Sequence, residues 1–269
     1  MSLSRYPNPL RGAPLAGLGL LACACLAAGG VARAGEGAPG QLTVRAENDA
    51  ADGDTVHFVT VAAQHALPYV AQWGGLRMNT AIVILADRDD LEARVHAEGD
   101  DWADAWALYD TIYLVSLHKM QPSGRMPSFD FLVSLLAHEL THCVMFQMAG
   151  SGARFPLWFN EGMAIATSQE ASWYLSRDEV TTILGRRPNL DPLRDRYLAH
   201  GEARLAYSVA YFAFTLLEEA HGATPIVQVL ATMRTGATFP DAFARVYGES
   251  LDAFEDRLLR ALRTGDPVR

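Results

Sequence analysis

Cysteine is nearly absent from this chain. It has three in 269 residues, and two of them, Cys23 and Cys25, fall in an N-terminal stretch that reads as a leader. With that stretch set aside Cys143 stands alone, so no internal disulfide can form and a hydrophobic core must hold the fold. Long apolar runs are missing too. Leu15 to Ala28 carries no charge but falls short of the ~20 residues that a membrane span needs. Positive charge is in deficit as well. Removing residues 1–34 takes Arg5, Arg11 and Arg33 from 22 basic residues and nothing from 31 acidic ones, leaving 19 against 31, a net charge of −12. That balance excludes nucleic acid and an anionic lipid surface as expected partners.

The leader itself follows the secretory pattern. Arg5 and Arg11 precede the apolar run, and Ala32-Arg33-Ala34 supplies the small-x-small site, so cleavage is expected after Ala34. Leu20-Leu21-Ala22-Cys23 resembles a bacterial lipobox and competes with it, which would leave a lipid anchor at Cys23. An uncleaved anchor is the remaining alternative. The expectation is an exported protein, periplasmic or secreted, with no transmembrane span once mature. Residues 35–40 read as a flexible tether and 41–269 as a single domain, with a sheet-containing lobe (41–128) and a helical lobe (129–269).

Along the chain, Leu42–Arg45 reads as a short strand and Thr55–Trp73 as a helix that Pro68 should kink or break, with Gly74-Gly75 ending it. Thr80–Leu85 (TAIVIL) and Thr111–Leu117 (TIYLVSL) read as strands. Asp87 caps a helix expected over 88–96, and 99–104 reads as an acidic loop. The first half is thus a small sheet with helices on one side. His57 and His65 have no ligand-like neighbours and are assigned packing only.

The stretch Leu135–Met148, LLAHELTHCVMFQM, carries the chemistry. Ser128 caps its helix, and the helix is apolar almost all round, so it should be buried. His138 and His142 stand four residues apart, which puts two imidazoles on one face. Glu139 lies beside them on the same helix. Burying these groups is costly unless they are satisfied, and a metal ion satisfies them. Cys143 points about 100° away from His142 and reads as a small buried hydrophobe. Pro156 opens a second helix over 157–169, where Glu161 is followed by the small residues Gly162, Ala164 and Ala166 that allow close helix approach. The 18 residues between His142 and Glu161 suffice for a helix end, a loop and an antiparallel return, so Glu161 can complete a His₂Glu ligand set.

HELTH, an 18-residue gap and the N-E-G of WFNEGMA resemble the gluzincin clan of zinc metallopeptidases, and most of all the small exported peptidase MA-like domains related to the M1 aminopeptidases. The resemblance implies an α+β fold, a small N-terminal sheet followed by a mostly helical, thermolysin-like zincin domain. It implies one Zn²⁺ on His138, His142 and Glu161, Glu139 as general base, and a peptide or protein substrate. Ala206–Gly222 and the closing GATFPDAFARVYGESLDAFEDRLLRAL resemble the family's later helices more weakly. There a tyrosine supports the oxyanion; Tyr207 aligns best and Tyr211 is the alternative.

Two departures narrow the reading. No exopeptidase segment of the usual G-x-M-x-N form precedes the motif, which favours endopeptidase action. Ile165 stands where some gluzincins place an aspartate that orients a zinc histidine, leaving Asn160, Thr167 or a backbone carbonyl for that task. The polar stretch 176–201, with a short helix over 178–184, is expected to lie over the cleft, with His200 and Arg204 on its solvated face. The strand at 111–117 is expected to offer an edge to an extended peptide. Two other classes remain open: an exported zinc-binding module without activity, and a zinc hydrolase of a non-peptide bond. The intact Glu139 speaks against the first, since a structural site has no use for a base.

Overall fold

The computed structural model describes residues 40–95, 103–120, 124–195 and 198–266. The leader with Cys23, the tether up to residue 39, His96, residues 99–102 and the side chain of His200 lie outside the described residues.

Strand β1 (Leu42–Ala46) is followed by helix α1 (Gly53–Ala71), β2 (Thr80–Leu85), α2 (Arg88–Val95), β3 (Ala105–Ala107) and β4 (Thr111–Val115). The sheet order is β1-β2-β4-β3, parallel except for β3, which returns antiparallel outside β4. Three expectations change here. Strand β4 is interior, and among the described residues the sheet's edges are β1 and β3, the latter a three-residue strand too short to read from sequence. Its neighbour Asp104 is not a solvated loop acid but is buried and paired with Arg88. Helices also cover both faces of the sheet. Ile82, Ile84, Ile112 and Leu114 join the main core with α1, while Val83, Leu85 and Val115 pack with Leu91 of α2 on the other side. The unbroken apolar run of β2 already carried that information, because alternation is lost when both faces are buried.

Helix α1 starts on Asp52, whose carboxylate accepts from the Thr55 N–H at 2.8 Å. It runs through Pro68 to Ala71 without the expected break. Pro68 sits in the last turn, where little helix remains to be interrupted.

Helix α3 (Phe129–Ala149) begins at Ser128 as expected and crosses the core. Gln147 fastens its far end to the sheet lobe. Its side-chain oxygen accepts from the Arg77 and Met78 N–H groups, and its amide donates to Thr80 Oγ1 and the Tyr109 carbonyl. A buried glutamine whose groups are all paired stabilises one register of α3 against the sheet.

Helix α4 (Leu157–Ser168) returns beside α3 and a short 3₁₀ turn (Glu170–Trp173) follows it. Then come α5 (Arg177–Arg186), α6 (Leu198–His221), α7 (Ala223–Met233), α8 (Phe239–Tyr247) and α9 (Leu251–Thr264). Helix α6 starts earlier than expected and is bent at Glu202, whose backbone leaves the helical region. The stretch 176–195 buttresses α9 instead of lying over a cleft. Arg194 binds Glu255 at 2.9 Å and Asp256 at 3.0 Å, Arg263 donates to the Pro188 and Leu190 carbonyls, and Thr181 donates to Leu262. Glu255 also accepts from Trp158 Nε1 at 2.8 Å, tying α9 to the ligand-bearing α4.

Close helix approach occurs where the small residues foretold it, but toward α6. A Cβ on Gly162 would stand 2.2 Å from the Ala210 carbonyl oxygen and 2.6 Å from Phe214 Cβ. The Gly of N-E-G is thus a contact requirement that lets α4 lie between α3 and α6. Gly162→Ala is expected to destabilise the protein by about 1–3 kcal/mol through overpacking, read as a lower midpoint in urea unfolding; an unchanged midpoint would show that the helices can part freely.

Candidate metal centre

The side chains of His138, His142 and Glu161 converge. One ligand atom from each lies within 4.8 Å of the others. Glu161 Oε2 is 3.4 Å from His138 Nε2 and 3.7 Å from His142 Nε2, and the two rings meet edge to face at 4.9 Å. Ligands held tetrahedrally at ~2.0–2.1 Å from a small divalent ion are roughly 3.4 Å apart. The donor set, two imidazoles and one carboxylate with room for a further ligand, fits such an ion.

Electrostatics agree with that fit at His142 and Glu161, while His138 carries a proton that an ion must displace. Burial pulls the His142 imidazole down to about 4 against the attraction of Glu161, so near pH 7 it is neutral and able to ligate. Burial also works against a charge on His138, but Glu170, then Glu161 and Glu139, outweigh it and hold the ring well above its ordinary value. Burial would raise Glu161; His142, His138 and the Asn160 amide overcome that and keep it ionised. Asn160 Nδ2 donates to Glu161 Oε1 at 2.9 Å.

Glu139 lies on the same helix and is buried. Burial, reinforced by Glu161 and Glu170 and opposed by His138, pushes its carboxyl up to about 7. The Ala107 N–H of β3 donates to it. That contact follows from strand alternation. Leu108 pairs with Thr111 and Asp104 with Val115, so Ala105 and Ala107 turn their backbone groups away from β4 toward the free edge. The edge strand therefore runs beside this carboxyl.

Of the orienting candidates weighed for Ile165's missing acid, Thr167 is engaged elsewhere, accepting from Trp73 Nε1 at 2.8 Å and donating to Met163. Asn160 lies beside His142, but its Oδ1 and the His142 Nδ1 are both buried without a hydrogen bond. Ile165 is fully buried core. The group facing His138 was missed: Glu170 Oε2 stands 3.3 Å from Nδ1, an ion-pair contact whose direction falls short of hydrogen-bond geometry. Tyr174, also missed, donates to Glu170 at 3.4 Å and stacks on Tyr207 at 6.2 Å, nearly parallel. Tyr207 thereby lies beside the cluster. Tyr211 packs against Phe212 and sits near Glu218 and Glu219 instead. Cys143 is buried, its thiol on the Leu108 carbonyl, with burial raising its pKa far above the ordinary thiol value. His65 is exposed with its ring edge on Phe129, and Arg204 is exposed on α6.

A buried His₂Glu cluster on two antiparallel helices, with a glutamate next to the first histidine and a small sheet ahead of it, defines a metallopeptidase of gluzincin type with a thermolysin-like zincin architecture. The comparison with protein families agrees: the model of the Peptidase MA superfamily matches residues 127–263, just over half the chain, and the chain belongs to that superfamily. No curated protein and no solved structure gives a match.

The raised Glu139 carboxyl makes a prediction for chelator-treated protein. Its folded value, about 7, lies above its ordinary 4.5. The unfolded chain thus ionises first as pH rises, and stability is lost from pH ~4.5 until the folded group also ionises near 7. Glu139→Gln removes this penalty. Its stability gain over the parent should be near zero at pH 4.5 and grow to the order of 3 kcal/mol by pH 7.5, followed by thermal melts across that range; a gain independent of pH would sink the assignment.

Proposed function

We propose that this protein is an endopeptidase that uses one Zn²⁺ and cleaves extended peptide segments lying along β3. The observation that carries this reading is the position of Glu139, a carboxyl raised to about 7 between the His₂Glu cluster and the free edge of the sheet. His138, His142 and Glu161 would hold the ion. When bound, zinc supplies Lewis acidity, polarising a carbonyl and lowering the pKa of water.

The chain's own residues do the rest. A peptide strand entering beside β3 pairs with the outward backbone groups of Ala105 and the Ala107 carbonyl, which places its scissile bond over α3. Glu139 takes the proton of the attacking water and passes it to the departing amine; a carboxyl poised near 7 can do both at neutral pH. The Ala107 N–H fixes its orientation. Tyr207, held flat against Tyr174, donates to the carbonyl oxygen as negative charge develops there. An open edge strand sets no requirement for a free amine, and the chain lacks an exopeptidase segment ahead of the motif; both support internal cleavage. The leader pattern of residues 1–34 supports action outside the cytoplasm.

Glu139→Gln should bind zinc as the parent does and lose hydrolysis of an unbiased peptide library, while Glu161→Ala should lose the metal. Retained cleavage by Glu139→Gln would falsify its role as base. Tyr207→Phe is expected to lower kcat by about 10²–10³ with KM little changed; an equal loss from Tyr211→Phe with none from Tyr207→Phe would exchange their roles. Cleavage of blocked peptides at internal bonds, compared with free-amine substrates, separates endopeptidase from exopeptidase action.

A further inference from the structure

Ile165 occupies the place where an acid could orient a ligand histidine, and it is packed into the core. We propose that Glu170 takes over this task from a different element, as the positioning residue that fixes the ring of His138, and that Tyr174 steadies Glu170. The proposal rests on the metal reading above.

Three placements support it. First, Ser134 Oγ donates to the Ser168 carbonyl at 2.7 Å. Ser134 lies one turn before His138, on the same face of α3. The end of α4 is therefore docked onto α3 immediately ahead of the histidine. Second, Gln169 adopts a left-handed conformation, φ 63° and ψ 28°, ending α4. A non-glycine residue rarely adopts that backbone region. That local reversal starts the 3₁₀ turn that brings Glu170 back toward α3, where its side chain is almost wholly buried. Third, His138 Nδ1 is buried without a hydrogen bond, and Glu170 is the carboxylate facing it, at 3.3 Å. A carboxylate is costly to bury unless a donor or a charge meets it. His138 and the Tyr174 hydroxyl are the two groups that meet Glu170 Oε2.

The consequence is a division of labour. Glu170 accepts from Nδ1–H of His138, which commits that proton and leaves Nε2 as the ligand nitrogen, aimed at Glu161. His142 Nδ1 is buried without a hydrogen bond and has only the neutral Asn160 beside it in that role, so a charge backs one histidine alone. Raising the basicity of one ligand only lets the site hold its ion firmly while the total negative charge around it stays moderate.

The test compares the parent with Glu170→Gln, Glu170→Asp and Tyr174→Phe, measuring zinc affinity by chelator competition, unfolding by thermal melt, and the Nδ1–H resonance of His138 in ¹⁵N-histidine-labelled protein. Glu170→Gln should bind zinc 10- to 100-fold more weakly, with partial recovery in Glu170→Asp and a smaller loss in Tyr174→Phe. The parent should show a downfield, slowly exchanging Nδ1–H that disappears in Glu170→Gln, both with zinc and in chelator. A Glu170→Gln protein that melts earlier yet keeps the parent's zinc affinity and the His138 resonance overturns the proposal, because Glu170 is then only structural. If the parent itself binds no zinc, the metal reading fails, and the resonance in chelator still decides whether Glu170 holds His138.

Discussion

Five ionisable side chains, three buried and two partly so, set the terms for this fold around one apolar helix. His138, Glu139, His142, Glu161 and Glu170 come from two helices and a 3₁₀ turn, and none is tolerable in an apolar interior alone. Together they offset one another's burial: two histidines face one Glu161 oxygen, Glu170 backs His138, and Ala107 meets Glu139. Helices α3 and α4 must therefore sit in one rotation and one register. The surrounding packing enforces that register, through Gln147 at the end of α3, Gly162 at the α4–α6 contact and Trp158 pinned by Glu255.

The same constraint divides chemistry among groups of one type. Three glutamates lie within one cluster, and environment alone separates them. Glu161 is held ionised by two imidazoles and an amide and suits a ligand. Glu139 is raised to about 7, because burial outweighs its one cationic neighbour, and suits a proton carrier. Glu170 lies behind a histidine and faces no open side, which suits support. The sheet lobe contributes through its edge, since β3 both orients Glu139 and leaves backbone groups unpaired beside it.

Much of this was legible beforehand. The H-E-x-x-H spacing and the gap to Glu161 carried the cluster, and Ser128 marked the start of its helix where the structure has it. Misses share a cause: the deciding contact was long-range or the signal too short. Strand β3 has three residues and no alternation to read. Helices on both sheet faces were implied by TAIVIL, yet only packing showed that α2 supplies the second cover. Stretch 176–195 looked like a cover for the cleft because it is polar, but its Arg194 is spent on α9, and Arg263 of α9 holds its backbone in turn. Glu170 was passed over because nothing local separates a buried acid at a helix end from a solvated one.

By itself the sequence put His138 and His142 on one face with Glu139 beside them, because helical periodicity turns a four-residue spacing into a shared face whatever the rest of the chain does. It determined an apolar α3 that had to be buried, and with it the need to satisfy every polar group it carries. Only tertiary structure decided what holds those groups in aim. The left-handed turn at Gln169 brings Glu170 to His138, and the alternation of β3 brings Ala107 to Glu139. Each of these contacts joins elements far apart in the chain or reversed by a single backbone angle, and neither leaves a periodic trace in the order of residues.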